Sequence, residues 1–382
     1  MDEADRLARV YPKVTGGDQT YLAKSEVVSK KANPVAVPEH SAFIEDWFSA
    51  NELNDKYDFD DSEDGLDKFW RWITAGPQVS VPGPPKLQEA TKYFRGQTKS
   101  WHGFTSSLYR VCKAAVGDDR VRESHLAAAE KAVIAALREE GMGRRMSDGE
   151  LLMICQHHLV PTRLIDVSTK PLEALFFAVE KEDGTDGRLF IVAPHTTKTE
   201  LPQAEAEMRL ARPALKPGAT RSPEPHPLPW SDVVRGRKQS KENWSVTVRL
   251  VDEQPLDPRM RAQAGKFLVG GVHSAYGGLN MPGITAAQRP DISSLAINFK
   301  PNTGPNKVAG SWGGSGWSVR VHASWKPELR DRLSRLKKDH GIEDITFDAM
   351  YPPVDEIERL GKHVAKQGVG RWIVENGEGD NE

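Results

Sequence analysis

Five runs from residue 187 onward are patterned as β-strands, and they constrain the fold of this 382-residue chain more than any other feature. Each run is rich in β-branched residues or alternates between apolar and polar positions, which is typical of strands. The runs cover residues 187–193, 244–252, 266–272, 294–299 and 317–323. Because they do not alternate regularly with helical segments, a doubly wound parallel sheet is disfavoured. The sequence therefore predicts an α+β fold with a mixed or antiparallel sheet and flanking helices.

Helical patterns precede and follow these strands. Apolar residues recur on one face within residues 36–76, which predicts a small helical segment ahead of a main domain at 86–370. In that domain, Ser147 and Glu150 are spaced as a capping box at a helix start, and Pro171 suits the first turn of another helix. Helices are predicted in the main domain at 120–140, 150–158, 171–181, 327–340 and 355–366, with a further strand at 344–351.

Three segments lie outside this pattern. Residues 1–35 are polar and lack periodicity, which predicts a disordered lead-in, and residues 371–382 form an acidic tail that is also predicted to be disordered. Residues 196–241 are rich in proline and basic residues and predict an insertion or a long loop. The basic part at 206–241 could bind nucleic acid, although a solvated loop is the favoured interpretation.

Composition argues against several classes of protein. A formal net charge of −2 gives no whole-molecule attraction to nucleic acid or to a membrane. No apolar run approaches the ~20 residues of a bilayer-spanning helix, and the N-terminal residues lack the apolar stretch of a signal peptide. The sequence therefore predicts a cytoplasmic protein that does not enter a membrane. Cys112 and Cys155 lie in apolar helical contexts and are predicted to be buried free thiols.

The densest polar segment in an apolar setting is Gln156–Asp166, which lies between two apolar helices. Buried histidine, arginine and aspartate side chains need partners or a ligand, because an unpaired buried charge costs several kcal/mol. Two interpretations follow. In one, Arg163 and Asp166 form a salt bridge across a tight turn, and a histidine caps helix carbonyls. In the other, the segment is a functional site.

A second candidate is Arg95, which ends a short predicted strand and is followed by Gly96. The guanidinium group is a rigid fork that suits phosphate or carboxylate, and a glycine lets a backbone or a ligand approach closely. A surface salt bridge at the end of the strand explains an isolated Arg-Gly pair equally well.

These segments resemble a known family. Residues 93–97 (YFRGQ) resemble the motif that gives the FRG-domain family its name, and residues 156–166 (QHHLVPTRLID) are similar to that family's Q-H-H-G-L-P-T-R-L-L-D block. Residues 261–267 (RAQAGKF) resemble its Q-x-G-x-F element, so similar elements run from about residue 90 to about residue 365. Leu159 stands where the family block has glycine, and Lys170 stands where it has asparagine.

The resemblance implies a prokaryotic or phage-related intracellular effector, acting as a toxin or in phage defence. The setting of Arg95 is also similar, more loosely, to the first motif of arginine-type ADP-ribosyltransferases. In those enzymes the arginine holds a phosphate or ribose of NAD, and a later glutamate activates the acceptor. NAD is accordingly the predicted ligand. The ligand-binding residues implied are Arg95, Gly96, Gln97, Arg110, Thr162, Arg163, Asp166 and Gln263, and the catalytic candidates are His157, His158 and Glu173.

Two alternatives stay open at this point. The histidine pair could serve a metal-independent nuclease or phosphotransferase, or the site could belong to a non-catalytic module that senses a nucleotide. Glu173 could simply complement the helix dipole in a first turn. No metal site is predicted, because adjacent histidines point in different directions from a helix. If one site exists, Arg95, a histidine of the pair, Thr162 or Arg163, and Gln263 should converge on one cleft.

Overall fold

The computed structural model describes nine stretches of the chain. They cover residues 42–79, 91–116, 121–143, 146–157, 160–194, 248–251, 265–272, 289–299 and 313–351. All of them belong to one compact unit that begins at Ala42. The lead-in, the basic insertion, the helix at 355–366 and the acidic tail predicted above lie outside the described residues.

Helices and strands follow one another along the described residues in an irregular order. The N-terminal helices are α1 (Ala42–Ser49), α2 (Asn54–Tyr57) and α3 (Glu63–Thr74). The middle of the chain forms β1 (Tyr93–Gln97), α4 (Ser107–Val116), α5 (Glu123–Glu139), α6 (Asp148–His157), β2 (Ile165–Ser168), α7 (Pro171–Val179) and β3 (Gly187–Pro194). The remaining elements are β4 (Arg249–Val251), β5 (Gly265–Val269), α8 (Arg289–Ile292), β6 (Ile297–Asn298), β7 (Gly314–Val321), α9 (Lys326–Ser334), α10 (Leu336–His340) and α11 (Phe347–Met350).

The strands form one sheet in the order β4-β5-β2-β1-β3-β7-β6. Neighbouring strands are antiparallel except β6 and β7, which are parallel. The sheet is therefore mixed, and the predicted α+β class is confirmed. Strand β1 lies in the interior of this order, between β2 and β3, and its registers place Phe94 opposite Ser168 on one side and Arg95 opposite Phe190 on the other.

Both faces of the sheet are buried, because side chains along β3 alternate between two apolar clusters. Leu189, Ile191 and Ala193 pack in a cluster with residues of α3, α7 and α9. Phe190 and Val192 belong to the other cluster, with residues of α1 and of the segment around α8. Each fully buried leucine, isoleucine, phenylalanine or valine among them contributes about 1.5–3 kcal/mol. The continuous apolar pattern of this strand reflects cover on both sides.

Ion pairs attach α1 and the residues after it to the sheet. Arg188 on β3 is fully buried; its Nη1 donates to Glu52 Oε2 at 2.9 Å, and its guanidinium lies 4.7 Å from the centre of the Phe48 ring. Burial lowers the pKa of Arg188, and the Glu52 carboxylate opposes that change. On β7, Arg320 contacts Glu45 and Glu52, each at 3.3 Å. The N-terminal helices thus supply the counter-charges of sheet residues.

Two sequence predictions of local structure were wrong. Residues 344–351 were predicted as a strand, but this segment contains α11, whose first turn is capped by the Thr346 hydroxyl accepting from the Ala349 N–H at 3.3 Å. The alternation of apolar and polar residues there is too short to separate the two periods. The turn predicted between two helices contains strand β2, whose four residues Ile165–Ser168 are too few to give a strand pattern.

Cys112 and Cys155 are buried and unpaired, as predicted, and burial raises the pKa of both thiols. None of the described helices is long and apolar enough to cross a bilayer.

Candidate functional site

A cleft with a volume of about 460 Å³ opens where β1 ends beside β2 and α7. This is within the size range of small-molecule sites. We call it the β1 cleft. It is lined by Phe94, Arg95, Gly96, Gln97, Thr98, His102, Arg110, Gln156, Asp166, Val167, Ser168, Ala174, Phe177, Glu180, Lys181, Gly265, Phe267 and Tyr351.

Arg95 is held at the cleft by the neighbouring strand. Its Nη1 donates to the main-chain oxygen of Asp166 at 2.9 Å and lies 3.4 Å from Asp166 Oδ2. Its Nε is buried and has no hydrogen-bond partner among the residues that the structure describes. The side chain is 17% exposed, whereas that of Asp166 is 46% exposed. The guanidinium is thus fixed in place, its buried Nε is unsatisfied by any described residue, and the Asp166 carboxylate remains accessible from the cleft.

A chain of hydrogen bonds that starts at the buried Thr162 orients the Asp166 carboxylate. The Thr162 hydroxyl donates to Gln156 Oε1 at 2.6 Å, and Gln156 Nε2 donates to Asp166 Oδ2 at 2.7 Å. Thr162 is fully buried and does not line the cleft, whereas Gln156 does. Since the threonine hydroxyl also accepts from the Leu164 N–H at 3.2 Å, its proton is directed at the glutamine oxygen. This sequence of donors leaves the glutamine NH₂ group facing the carboxylate.

Arg110 and His102 complete the polar wall. Arg110 Nη1 donates to the main-chain oxygen of Thr105 at 2.8 Å. Burial, followed by the positive charge of Arg95, lowers the pKa of Arg110 to about 10. Burial also lowers the pKa of His102 to about 4, with Arg110, Lys99 and Arg95 adding to the effect. Both side chains keep contact with solvent, but the concave wall around them limits their hydration. His102 is therefore neutral at pH 7, with one ring nitrogen able to accept a proton.

Gly96 and Gln97 also line the cleft, and the structure shows what each does locally. A Cβ atom on Gly96 would overlap the main-chain oxygen of Ala174, so this glycine lets α7 pack directly against β1. Gln97 Nε2 donates to the main-chain oxygen of Gly103 at 3.2 Å and fixes the loop that carries His102.

Arg163 points away from the cleft. Its Nε and Nη2 donate to the two carboxylate oxygens of Glu130 on α5, both at 2.6 Å, and its Nη1 donates to Glu123 at 2.7 Å. The predicted Arg163–Asp166 salt bridge is wrong, because Asp166 contacts Arg95 on β1 instead. Burial alone would lower the pKa of Arg163, but the Glu130 and Glu123 carboxylates raise it above its ordinary value.

Glu173 does not line the cleft either. It is 4% exposed and accepts from the Ser168 hydroxyl at 2.8 Å and from Lys170 Nζ at 2.7 Å. Its carboxylate lies in the first turn of α7, where it complements the positive end of the helix. His157 ends α6, but its side chain, together with His158 and Gln263, lies outside the described residues.

Of the residues predicted to converge, Arg95 lines the cleft, Thr162 and Arg163 do not, and the histidine side chains and Gln263 lie outside the described residues. Of the wider set of predicted ligand-binding residues, the cleft brings together Arg95, Gly96, Gln97, Arg110 and Asp166. The sequence reasoning missed two cleft residues in particular, His102 and Gln156. Gln156 belongs to the quoted Q-H-H block and could have been included on that ground. Among the described residues, no three or more histidine, cysteine, aspartate or glutamate side chains form a group that could hold a metal ion.

The segment that supplies most of this cleft matches a family model. Residues 90–187 match the model of the FRG domain. The chain carries an FRG domain. This matched segment contains Arg95, His102, Arg110, Gln156 and Asp166. No curated protein and no solved structure matched the chain. The polar residues that line the cleft thus lie within the matched segment, whereas Gly265, Phe267 and Tyr351 come from later parts of the chain.

Proposed function

We propose that the FRG domain binds a nucleotide of the NAD class in the β1 cleft and releases nicotinamide from it, in the manner of an ADP-ribosyltransferase. The observation that carries this proposal is the pair of arginines, Arg95 and Arg110, on the wall of one cleft. Their mutual repulsion is strong enough to contribute to the lowered pKa of Arg110. A bound phosphate relieves that repulsion and supplies acceptors for their free donors.

The electrostatic balance of the cleft favours an anion. The lining cations are Arg95, Arg110 and Lys181, and the lining carboxylates are Asp166 and Glu180. The buried Nε of Arg95 would gain an acceptor from a phosphate oxygen, which removes the cost of an unsatisfied donor. A cleft of about 460 Å³ is large enough for a nucleotide.

The proposed reaction breaks the bond between the ribose C1′ and the nicotinamide nitrogen. The electron pair of that bond leaves with nicotinamide, whose ring loses its positive charge, and positive charge develops on the ribose. Asp166, which is exposed to the cleft, stabilises that charge in place of the predicted Glu173. Water or an acceptor hydroxyl then attacks C1′, and its proton passes to the neutral His102.

The test is incubation of the purified protein with NAD and measurement of released nicotinamide. Arg95→Ala and Arg110→Ala should weaken binding of NAD by about 10- to 100-fold, the equivalent of a hydrogen bond to a charged group. Asp166→Asn should bind NAD and release little nicotinamide. Arg335→Ala is the matched control, because Arg335 is a half-exposed arginine that does not line the cleft. Equal binding by Arg95→Ala and the control would refute the proposal.

A second candidate function is a non-catalytic module that senses the same nucleotide. It is favoured by the state of Glu173, whose carboxylate is occupied by Ser168 and Lys170. Calorimetry and thermal melts separate the two. NAD at 100 times its dissociation constant should add about 2.7 kcal/mol of stability in either case. Stabilisation that depends on Arg95, without release of nicotinamide, identifies a sensor. Release of nicotinamide would instead identify an enzyme, and an enzyme that consumes NAD fits the effector or toxin role that the sequence resemblance implies.

A further inference from the structure

Aromatic side chains form a second kind of wall in the β1 cleft. Phe177 on α7 and Tyr351 after α11 both line the cleft, and their rings meet edge to face with centroids 6.2 Å apart. Phe347 lies against Tyr351, with ring centroids 4.8 Å apart and planes inclined by 37°. Phe347 is also 62% exposed, the largest exposure among the large apolar side chains of the described residues. We call Phe177 and Tyr351, which line the cleft, together with Phe347, which packs on Tyr351, the aromatic wall.

A carboxylate is fixed beside this wall. The Tyr351 hydroxyl donates to Glu180 Oε2 at 2.9 Å, and Lys181 Nζ lies 3.3 Å from Glu180 Oε1. Glu180 lines the cleft although its side chain is only 10% exposed. A carboxylate accepts hydrogen bonds only, so it selects a partner that donates. The hydroxyl bond also fixes the orientation of the tyrosine ring.

We propose that the aromatic wall binds the base of the nucleotide whose phosphate contacts Arg95, and that Glu180 accepts from an exocyclic amino group of that base. The inference rests on the proposed function for the phosphate and adds where the base of an aminopurine nucleotide, such as an adenine nucleotide, binds and which side chains recognise it. A planar base stacks on aromatic rings, and tyrosine and phenylalanine are the side chains that proteins use for such stacking.

The exposure of Phe347 supports this assignment. Contiguous exposed apolar patches mark places where a ligand or partner binds, and Phe347 adds an exposed ring beside Tyr351. Phe347 does not line the cleft, but its ring lies against that of Tyr351, so it supports the tyrosine ring on which a base would stack. In the same cleft, Arg95 and Arg110 attract the anionic part of the ligand. An aromatic surface and a cationic surface in one cleft match the two chemical parts of a nucleotide.

The experiment compares two probes that differ by the base alone, AMP and ribose 5-phosphate, in calorimetric titrations of the full chain. The wild type should bind AMP roughly 5- to 100-fold more tightly, the range expected for stacking of one base. Tyr351→Ala and Phe347→Ala should reduce that preference and leave the affinity for ribose 5-phosphate unchanged. Ile342→Ala is the control, because Ile342 is an exposed apolar residue outside the cleft.

The remaining arms distinguish failure of this inference from failure of the phosphate site. Inosine monophosphate has an oxygen in place of the amino group, so it should bind the wild type more weakly than AMP does. Glu180→Gln should bind AMP and inosine monophosphate with the same, weaker affinity. If AMP and ribose 5-phosphate bind alike and both need Arg95, the base site is refuted and the phosphate site stands. If neither probe binds, or binding does not need Arg95, both proposals are refuted. Phe347→Ala keeps the test valid if Tyr351→Ala fails to fold.

Discussion

Substitution of Glu130 by alanine should be among the most destabilising single changes near the site. Glu130 is 1% exposed and its partner Arg163 is 2% exposed, so the guanidinium would keep its charge in a water-poor environment. Removal of one partner of such a pair costs roughly 3–5 kcal/mol. Glu123 would remain 2.7 Å from Arg163, which places the expected loss near the lower end, at about 3 kcal/mol. That is a large part of the 5–15 kcal/mol that stabilises a typical domain.

Urea titrations followed by tryptophan fluorescence measure this loss, since the chain contains ten tryptophans. The matched control is Asp166→Asn, which should change the free energy of unfolding by no more than about 1 kcal/mol, because this carboxylate is 46% exposed. Replacing both buried partners, in Glu130→Leu with Arg163→Met, should restore much of the loss. The reasoning is refuted if Glu130→Ala is nearly neutral while Asp166→Asn costs 3 kcal/mol or more.

Two further predictions concern the frame of the cleft. Gly96→Ala should destabilise the protein by about 1–3 kcal/mol in urea titrations, because the new methyl group overlaps the main-chain oxygen of Ala174. Gly184→Ala is the control and should be neutral, because a methyl group there meets nothing within 4 Å. Burial lowers the pKa of Lys326 from its ordinary 10.5 to about 8, so the unfolded chain binds more protons between those pH values and stability rises with pH there. The difference in unfolding free energy between wild type and Lys326→Met should therefore shift in favour of wild type from pH 7.5 to pH 9.5. A difference that stays constant over this range would contradict the lowered pKa of Lys326.

Interactions between residues a few positions apart could be predicted from the sequence. The capping box is present, with the Glu150 N–H donating to Ser147 Oγ at 3.2 Å and the Ser147 N–H donating to Glu150 Oε2 at 2.8 Å. Pro171 begins α7 as expected. The strand predicted at 187–193 is found as Gly187–Pro194, because buried β-branched runs carry their own signal.

Partners that are distant in the sequence could not be predicted in this way. Arg163 and Asp166 were expected to pair because they are three positions apart, but the chain enters β2 between them, and each finds a partner on another element. Glu130 lies 33 positions before Arg163 inside an alanine-rich helix, where periodicity says nothing of its partner. His102 carries no motif at all, and its place in the cleft follows from the path of the loop after β1.

Because β1 lies inside the sheet, the segment that matches the FRG domain is shorter than the unit that can fold. The match to the FRG domain ends at residue 187, the first residue of β3, so it excludes the rest of β3, which pairs with β1, and it excludes β7 at Gly314–Val321. A fragment cut to the match would leave β1 as a bare edge, open to pairing with other chains. It would also lack many of the residues in the apolar clusters that cover both faces of the sheet. Anyone grafting this module onto another protein should therefore transfer at least the chain from Ala42 through Tyr351.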